Sequence, residues 1–404
     1  MPKILSLYHY YYPDDVAGAR HLTELCGELV AKDYEVETWP CNRSCHHYEA
    51  VYPLKSETRN GVLLKRVWRP PFRQHSIVGR IINTLWVLTV WCWRFLFLYG
   101  KRPDVLTVGT DPIFSPFIIP FFKFLHPKVK VIHWCFDLYP EYAVADRMIG
   151  KNNPITRILR RCMGYAYSKC DLLVDIGPCM RQLLEHYPAP KRVTLSPWAL
   201  EEPDSPLPPD PTERKDLFGD CKLALLYSGN FGKPHEFYLT LKLARKLSGD
   251  GAVLCYSAHG SRIEELKKAL NTEDKNIRFA PFAPADKLAL RLSATDVHVV
   301  SLRSTYTGVA VPSKFFGALA IGRPVLFEGP EESSIAQWIK EYQVGWVLTT
   351  DNLEKVEAEL GRFSENVSAK VKMFQHCHDI YQAHFSKKSV LDAWDKELRG
   401  LLAR

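Results

Sequence analysis

The sequence predicts an α/β fold of two doubly wound, Rossmann-like domains that face a central cleft. Its 404 residues are too many for one ordinary core and suit two domains of about 200 residues each. Short apolar strands alternate with amphipathic helices in both halves. Between the halves, the segment EEPDSPLPPDP at 201–211 holds five prolines. Because proline fixes φ and removes a backbone donor, this segment is expected to be a linker.

The first half opens with a strand, a loop and a helix. Apolar residues predict a strand at 3–10, and Leu22, Leu25 and Leu29 recur at helical spacing in a helix expected at 19–31. An alternating segment at 34–39 adds a second strand and completes a parallel βαβ unit. Asn60 and Gly61 are typical of a hairpin turn. Further strands are predicted at 62–67, 105–108, 129–134, 172–176 and 193–195.

The second half repeats the alternation. Strands are predicted at 223–228, 252–257, 277–280, 297–302 and 324–327, and helices at 238–247, 263–269 and 314–321. From about residue 353 the pattern is helical. We expect a first domain at 1–202, a second domain at 203–384, and a C-terminal helix at about 385–404 that returns to the first domain.

Composition and charge limit the class of protein. The content of 46% hydrophobic and 24% charged residues is typical of a globular chain, and the formal net charge is +8. This excess suits phosphates or an anionic membrane; without a Lys/Arg tail, nucleic acid is the weaker expectation. The 11 cysteines are scattered, which favours a reducing compartment, and no signal peptide precedes the first strand, so a cytoplasmic location is expected.

No metal site is predicted. The segment CNRSCHH at 41–47 offers thiols and imidazoles, but a polar loop after a strand is the preferred interpretation. His376, Cys377 and His378 are adjacent in a predicted helix, where neighbouring side chains point in different directions and make a poor ligand set.

The most apolar stretch, LWVLTVWCWRFLFLY at 85–99, is short for a bilayer crossing and contains Arg94. Two interpretations are open and compatible. The stretch is a helix buried against its sheet, or it lies in a membrane interface on the cytoplasmic face. The second is favoured by its basic neighbours, which are Lys65, Arg66, Arg69, Arg73, Arg80, Lys101 and Arg102.

The segment YSGNFGKPHE at 227–236 directly follows the first strand of the second half. Gly229 and Gly232 allow close backbone approach to a ligand, Lys233 supplies a positive charge, and His235 lies near the next helix. A leaving diphosphate needs such donors and cations. The alternative is a tight strand-to-helix turn in which glycine serves geometry only.

A second candidate region runs from 307 to 339. Ser313 is a plausible N-cap of the following helix, and Lys314 is a first-turn cation, which the helix dipole disfavours unless an anion binds there. After the strand PVLFE, Glu331 and Glu332 are expected in the first turn of another helix. They either complement its dipole or hold sugar or ribose hydroxyls.

A third group lies in the first half. The loop at 11–19 reaches Gly18 at the start of a helix, with Arg20 in its first turn. This is either a phosphate-facing helix end or a turn. Asp137 follows the strand that contains His133, and is a candidate to accept hydrogen bonds from sugar hydroxyls or to act as a base; Asp111 is comparable.

The order of YYPDDVAGAR, FDLYPEYAVA, SPWA, YSGNFGKPHE and VPSKFFGALAIGRPVLFEGPEE along the chain resembles bacterial glycosyltransferase family 4. The resemblance is greatest to the N-acetylfucosaminyltransferase-like branch that builds O-antigen and colanic-acid units. It implies the GT-B fold, with the first domain on the acceptor side and the second binding the donor. It also implies retaining transfer from a nucleotide sugar, UDP-linked by expectation, to a glycan or polyprenyl-linked acceptor, with no required metal.

The resemblance also assigns residues. The backbone of Gly229, Asn230, Phe231 and Gly232, with Lys314, would contact the diphosphate. Glu331 or Glu332 would lie near the sugar, and the loop at Gly18 would approach the phosphates from the other domain. The remaining cations, Lys233 and Arg303, match the usual phosphate clamp only approximately.

This chain departs from the family in two further places. Gly317 stands where a second glutamate usually holds the ribose, and the N-terminal loop lacks a Gly-Gly pair. Two other functions therefore stay open. One is a two-domain sugar-nucleotide enzyme without an acceptor, such as an epimerase; the other is a sugar-nucleotide-binding protein without catalysis.

Overall fold

The computed structural model of the protein describes residues 1–14, 16–45, 47, 49–74, 76–98 and 102–403. The chain forms two compact units. The N-terminal unit consists of Met1–Ser196 and Leu391–Arg404, and the C-terminal unit of Pro197–Val390. The sequence placed these divisions at 202/203 and near 385.

The proline-rich segment at 201–211 belongs to the C-terminal unit and packs on it, which differs from the linker expected from its composition. The Leu207 amide donates to the carbonyl of Ile321 at 3.2 Å, and the Leu207 carbonyl accepts from Arg323 at 2.7 Å. Proline removes donors from this segment, but both backbone groups of Leu207 are paired.

The N-terminal unit contains an eight-stranded sheet in the order β3-β4-β2-β1-β5-β6-β7-β8. All neighbouring strands are parallel except β3 and β4. The polar strand β3 was not predicted; it pairs through the predicted hairpin turn, where Asn60 and Gly61 have φ of 48° and 76°. The strands are β1 Lys3–Leu7, β2 Glu35–Thr38, β3 Glu57–Arg59, β4 Val62–Leu64, β5 Val105–Gly109, β6 Lys130–Trp134, β7 Leu172–Asp175 and β8 Arg192–Thr194.

Most helices of this unit lie in the connections between parallel strands. Two have side-chain N-caps: Ser76 accepts from the Gly79 amide, and Asn153 accepts from the Ile155 amide. Within the described residues, no helix combines the length and the apolar character needed to cross a membrane. The helices are α1 Ala17–Ala31, α2 Ile77–Phe95, α3 Ile119–Leu125, α4 Glu141–Ala145, α5 Pro154–Ser168 and α6 Pro178–Leu184.

The C-terminal unit contains a fully parallel six-stranded sheet in the order β11-β10-β9-β12-β13-β14. The chain builds outward from β9 on one side and then from β12 on the other, so the strand order reverses between β9 and β12. Strand β14 was not predicted because it has only four residues and begins with a glycine. The strands are β9 Leu223–Asn230, β10 Ala252–His259, β11 Ile277–Ala280, β12 Val297–Ser301, β13 Val325–Glu328 and β14 Gly345–Leu348.

The last helix begins in the C-terminal unit and ends in the N-terminal one. There Tyr34 donates to Asp395 at 2.8 Å, and Trp394 packs edge-on against Trp134 at 5.0 Å. The helices from 211 onward are α7 Pro211–Phe218, α8 Tyr238–Lys246, α9 Ile263–Lys268, α10 Leu288–Ser293, α11 Lys314–Ala320, α12 Ser334–Tyr342, α13 Leu353–Glu365, α14 Val367–Ile380 and α15 Lys387–Leu402.

Candidate functional site

The first strand of the C-terminal unit, β9, ends at the point where the strand order reverses, which is where open α/β sheets bind ligands. Gly229 has φ of 122°, a conformation that L side chains rarely adopt. A Cβ on Gly229 would lie 2.8 Å from Cε of Lys314. The glycine therefore lets the lysine side chain cross the end of the strand.

Lys314 comes from the start of α11 and joins this turn. Its Nζ donates to the Asn230 carbonyl at 3.1 Å and lies 5.1 Å from the centre of the Tyr227 ring. The side chain is half-buried, and desolvation lowers the pKa of Lys314 from its ordinary 10.5 to about 8. The structure thus brings Lys314 and the 229–233 turn together, and the cation has no carboxylate partner among the described residues.

His235 fixes the position of this lysine. The His235 Nδ1 atom lies 2.8 Å from the Ser301 carbonyl, which only accepts, so the proton is on Nδ1. The unprotonated Nε2 then faces Lys314 Nζ at 3.4 Å. Burial, and next the charge of Lys314, lower the pKa of His235 to about 3. The imidazole is therefore neutral, and it acts as an acceptor that orients the ammonium.

Phe231 and Gly232 are bound into the turn in different ways. The Phe231 side chain is fully buried in the core, and its amide donates to the His259 carbonyl at 2.6 Å. The Gly232 carbonyl accepts from the His235 amide at 3.1 Å. The expectation that the whole run of backbone amides faces a ligand is therefore wrong for Phe231, because that amide is already paired.

Arg303 lies beside the same turn and forms an ion pair with Glu236. Its Nε atom is 3.3 Å from Glu236 Oε2, and its amide donates to the Pro234 carbonyl at 2.7 Å. Arg262 lies 3.8 Å from the other oxygen of Glu236. Lys233 is exposed. The turn is therefore surrounded by basic residues, of which Lys314 is placed most closely against β9.

Of three other predicted residues, Ser313 lies at the position expected for it, and Glu331 and Glu332 do not. Ser313 occupies the N-cap position of α11, but its side chain makes no capping hydrogen bond. Glu331 and Glu332 precede α12 rather than lying in its first turn, because the helix begins at Ser334 and is capped by Ser333. Glu331 is exposed and pairs with Lys340 at 3.1 Å; among the described residues neither glutamate contacts Lys314.

Glu328, at the end of β13, was missed by the sequence analysis. Its buried carboxylate accepts from the Leu239 and Thr240 amides at 2.9 and 3.0 Å, and from the Thr240 hydroxyl at 2.6 Å. These amides belong to the first turn of α8. The N-terminus of α8 is therefore already neutralised by a carboxylate, and the positive charge offered at the strand ends comes from Lys314.

In the N-terminal unit, the predicted Gly18 accommodates a tyrosine. A Cβ on Gly18 would lie 2.0 Å from the Tyr8 hydroxyl, and one on Gly109 would lie 2.3 Å from the Tyr8 ring. Gly18 is the second residue of α1, and Arg20, half-buried, is in the first turn as expected. Asp15, in the same loop, lies outside the described residues.

Asp137 and Asp111 surround the same tyrosine at the ends of β6 and β5. Burial, and next the charge of Asp111, raise the pKa of Asp137 to about 6. Both carboxylates raise the pKa of the buried Tyr8 hydroxyl in addition to the effect of desolvation. Asp111 also lies 3.4 Å from His9 Nδ1. By contrast His133 is buried and donates to the Val108 carbonyl, so it is structural.

The cysteine- and histidine-containing segments form no metal site in the part of the chain that the structure describes. Cys41 donates to the Arg43 carbonyl, His376 contacts the Tyr342 carbonyl, and His378 contacts the Pro203 carbonyl. His46 lies outside the described residues. The described cysteines are all free thiols.

Replacing Gly229 with alanine tests the tight approach of Lys314 to β9. We expect Gly229→Ala to lower the free energy of unfolding by about 1–3 kcal/mol, because φ of 122° strains an L residue and the Cβ displaces Lys314. Gly249→Ala is the control, since a Cβ there meets nothing within 4 Å. Urea unfolding of both variants gives the measurement, and equal stabilities would contradict the prediction.

Comparison with known proteins supports the fold. No protein-family model matches the sequence. A probable glycosyltransferase of Pseudomonas aeruginosa, WbjE, is 27% identical over 253 residues, which cover 61% of this chain and 62% of that relative. The match thus spans less than two thirds of the relative's length.

Solved structures that resemble the chain over nearly its full length include the following two. Sucrose-phosphate synthase from Thermosynechococcus elongatus is 12% identical with a TM-score of 0.71, and each chain is covered completely. Anabaena HepE, solved in complex with UDP, is 9% identical with a TM-score of 0.66 over 98% of this chain and 100% of its own. At such identities the likeness concerns the fold, which is the two-domain Rossmann-like arrangement of GT-B proteins, as the sequence predicted.

Proposed function

We propose that the protein is a glycosyltransferase that moves a sugar from a nucleoside-diphosphate donor, most simply a UDP-sugar, to a glycan or polyprenyl-linked acceptor. The observation that carries this proposal is the position of Lys314. Its ammonium is held by Asn230 and His235 at the end of β9, at the reversal of strand order, without a carboxylate partner among the described residues. A cation kept in this way is suited to an anionic ligand.

In the transfer reaction, the ammonium of Lys314 would stabilise the leaving diphosphate. As the bond between the sugar and the diphosphate breaks, negative charge grows on the leaving phosphate oxygen. An ammonium fixed before the reaction stabilises that charge most at the transition state. We propose a retaining course, in which the acceptor oxygen attacks from the leaving-group side and its proton passes to the leaving phosphate. No enzyme nucleophile and no metal are then needed.

The comparisons support this proposal on the donor side. The Pseudomonas relative is named a probable glycosyltransferase, and the HepE structure contains UDP. On the acceptor side we propose Asp137, whose raised pKa of about 6 keeps it near its titration point in neutral solution. It would accept hydrogen bonds from the acceptor's sugar hydroxyls or, in place of the leaving phosphate, remove the proton of the attacking hydroxyl. Reaction at the cytoplasmic face of a membrane fits a lipid-linked acceptor.

A sugar-nucleotide-binding protein without catalysis is the second candidate, and Gly317 favours it. This residue lies in α11, three residues after Lys314, and a Cβ there would meet only Leu292 at 3.8 Å. The position therefore has room for a side chain that the sequence does not supply. If the family's glutamate holds the ribose there, this chain lacks that contact.

A panel of nucleotide sugars tests the function directly. We expect one UDP-sugar to raise the thermal unfolding temperature, because a ligand that binds only the folded state stabilises it by mass action. Product analysis with that donor should show sugar attached to an acceptor. An altered but unattached sugar would indicate an epimerase, and stabilisation without turnover would indicate a binding protein. The absence of stabilisation by any nucleotide would contradict the proposed donor site.

A further inference from the structure

Three helices of the N-terminal unit leave large apolar side chains uncovered on their outer sides. Phe124 of α3 is 80% exposed, Trp93 of α2 is 63% exposed and Ile158 of α5 is 58% exposed. We call these side chains, with their exposed neighbours, the apolar face. Its members are Trp68, Phe72, Ile77, Val78, Ile81, Ile82, Leu85, Trp86, Trp93, Leu96, Phe97, Phe117, Phe121, Phe124, Ile155, Ile158 and Tyr165.

The three helices lie side by side. Helix α2 contacts α3, and α3 contacts α5. Each connects parallel strands that advance in the same direction across the sheet, from β4 to β5 to β6 to β7, so right-handed crossovers place all three on one side. Their inner sides are buried against the sheet by residues such as Trp91, Phe122 and Met163. The stretch predicted at 85–99 is thus both packed inward and exposed outward; residue 99 lies outside the described residues.

The sequence around these helices has an unusual charge distribution. The segments 58–103, 112–136 and 147–170, which contain α2, α3 and α5, include 18 of the 53 lysines and arginines and none of the 45 acidic residues. The remainder of the chain has 35 basic and 45 acidic residues and is net negative. The formal charge of +8 therefore arises entirely from the segments that form and flank the apolar face.

Several of these cations are exposed near the apolar side chains. Lys169 lies 5.1 Å from the centre of the Tyr165 ring. Arg69 is different, because it is fully buried and donates to the Tyr10 hydroxyl at 3.0 Å, so it cannot contact an external partner. The exposed basic residues of the three segments include Arg73, Lys128, Lys151, Arg157 and Arg161.

We propose that the apolar face and its basic surround dock the protein on an anionic lipid bilayer. Aliphatic and aromatic side chains would enter the interface, the indole N–H groups would remain at headgroup depth, and the cations would contact lipid phosphates. A second copy of the chain is disfavoured because two basic surfaces would meet. Nucleic acid is disfavoured because its phosphates gain nothing from uncovered Ile, Leu and Phe side chains. The apolar face belongs to the N-terminal unit and Lys314 to the C-terminal unit, and the inference goes beyond the proposed transfer reaction.

Vesicle flotation with the full chain tests the proposal. We expect the protein to float with vesicles of phosphatidylcholine and phosphatidylglycerol, and much less with phosphatidylcholine alone or at high salt. Reversing charge with Arg157→Glu and Arg161→Glu should weaken binding about tenfold or more, since each cation near the surface contributes appreciably. Replacing Leu85 and Phe124 with serine should weaken it similarly. Val371→Ser and Lys372→Glu, exposed on α14, are the matched controls and should bind as the unaltered protein does.

Thermal unfolding with and without UDP distinguishes a failure of this proposal from a failure of the proposed donor site. The four altered positions lie in the N-terminal unit, far along the chain from Lys314, so the stabilisation by nucleotide should be unchanged in these variants. The proposal is overturned if the protein floats with neither vesicle, or if the control variants lose binding equally. It is also overturned if light scattering shows a dimer that the Phe124 variant dissolves, or if RNA is bound in preference to anionic vesicles.

Discussion

Lys314→Ala is expected to lower kcat for sugar transfer by about 10²–10³, the usual effect of removing one fixed group that stabilises a developing oxyanion. The lysine is held by the Asn230 carbonyl and by His235 Nε2, and it forms no ion pair with any residue that the structure describes, so its removal takes away no salt bridge there. We therefore expect the variant to fold. Single-turnover kinetics with the donor found by thermal shift give the measurement, and Lys242→Ala on the exposed side of α8 is the control.

The pH dependence of donor affinity tests the role of Lys314 in a second way. In the empty site the pKa of Lys314 is about 8, below its ordinary 10.5, so the ammonium is lost as pH rises through 8. A bound diphosphate favours the ammonium, so binding above pH 8 takes up a proton and affinity falls by up to about tenfold per pH unit. Lys314→Arg keeps its charge and should lack this fall. Unchanged turnover in Lys314→Ala, or the same pH profile in Lys314→Arg, would refute the assignment.

Arg323→Met is expected to lower the free energy of unfolding of the C-terminal unit by about 3–5 kcal/mol, because each buried carbonyl left without a donor costs about 1–3 kcal/mol. Arg323 is fully buried, and among the described residues no acid forms an ion pair with it. Its guanidinium donates to the carbonyls of Thr295, Ser293 and Leu207 at 2.7 to 2.8 Å and lies over the Phe374 ring. Methionine fills much of the volume but leaves these buried acceptors without donors.

Urea unfolding followed by fluorescence measures this loss. Arg362→Met, on the exposed side of α13, is the matched control and should change the unfolding free energy by less than about 0.5 kcal/mol. Arg323→Lys should recover only part of the stability, because one ammonium cannot reach carbonyls that the planar guanidinium spans. Equal curves for the buried and the exposed variant would show that the network adds nothing to stability.

The fold could be predicted where local pattern and chain connectivity agree. The βαβ unit at the start of the first half and the alternation of strands and helices in the second half follow from apolar periodicity. Strand β3 was missed because its residues, ETR, are polar and exposed, and only pairing across the Asn60–Gly61 turn makes them a strand. The proline-rich segment was taken as a linker because its hydrogen bonds to Ile321 and Arg323 are invisible in composition.

The candidate site was predictable where a residue contradicts a local rule. Lys314 was predicted to bind a ligand because it is a cation at a helix N-terminus, and Gly229 because it is a glycine that follows a strand. The roles of Glu328 and Arg323 could not be deduced, because their partners lie 88 or more residues away in the case of Glu328 and 28 and 116 residues away in the case of Arg323. Phe231 was assigned to the ligand, since nothing in the turn itself shows that its amide pairs with His259.

Because α15 returns to the N-terminal unit, this unit begins to be synthesised first but is completed only when the end of the chain has been made. Tyr34 and Asp395 are 361 positions apart, and Trp134 is covered by Trp394. All of residues 197–390 must leave the ribosome before these partners can meet. The nascent first unit therefore lacks the Trp394 ring that covers Trp134 while the second unit is made, and apolar surface exposed during synthesis favours aggregation.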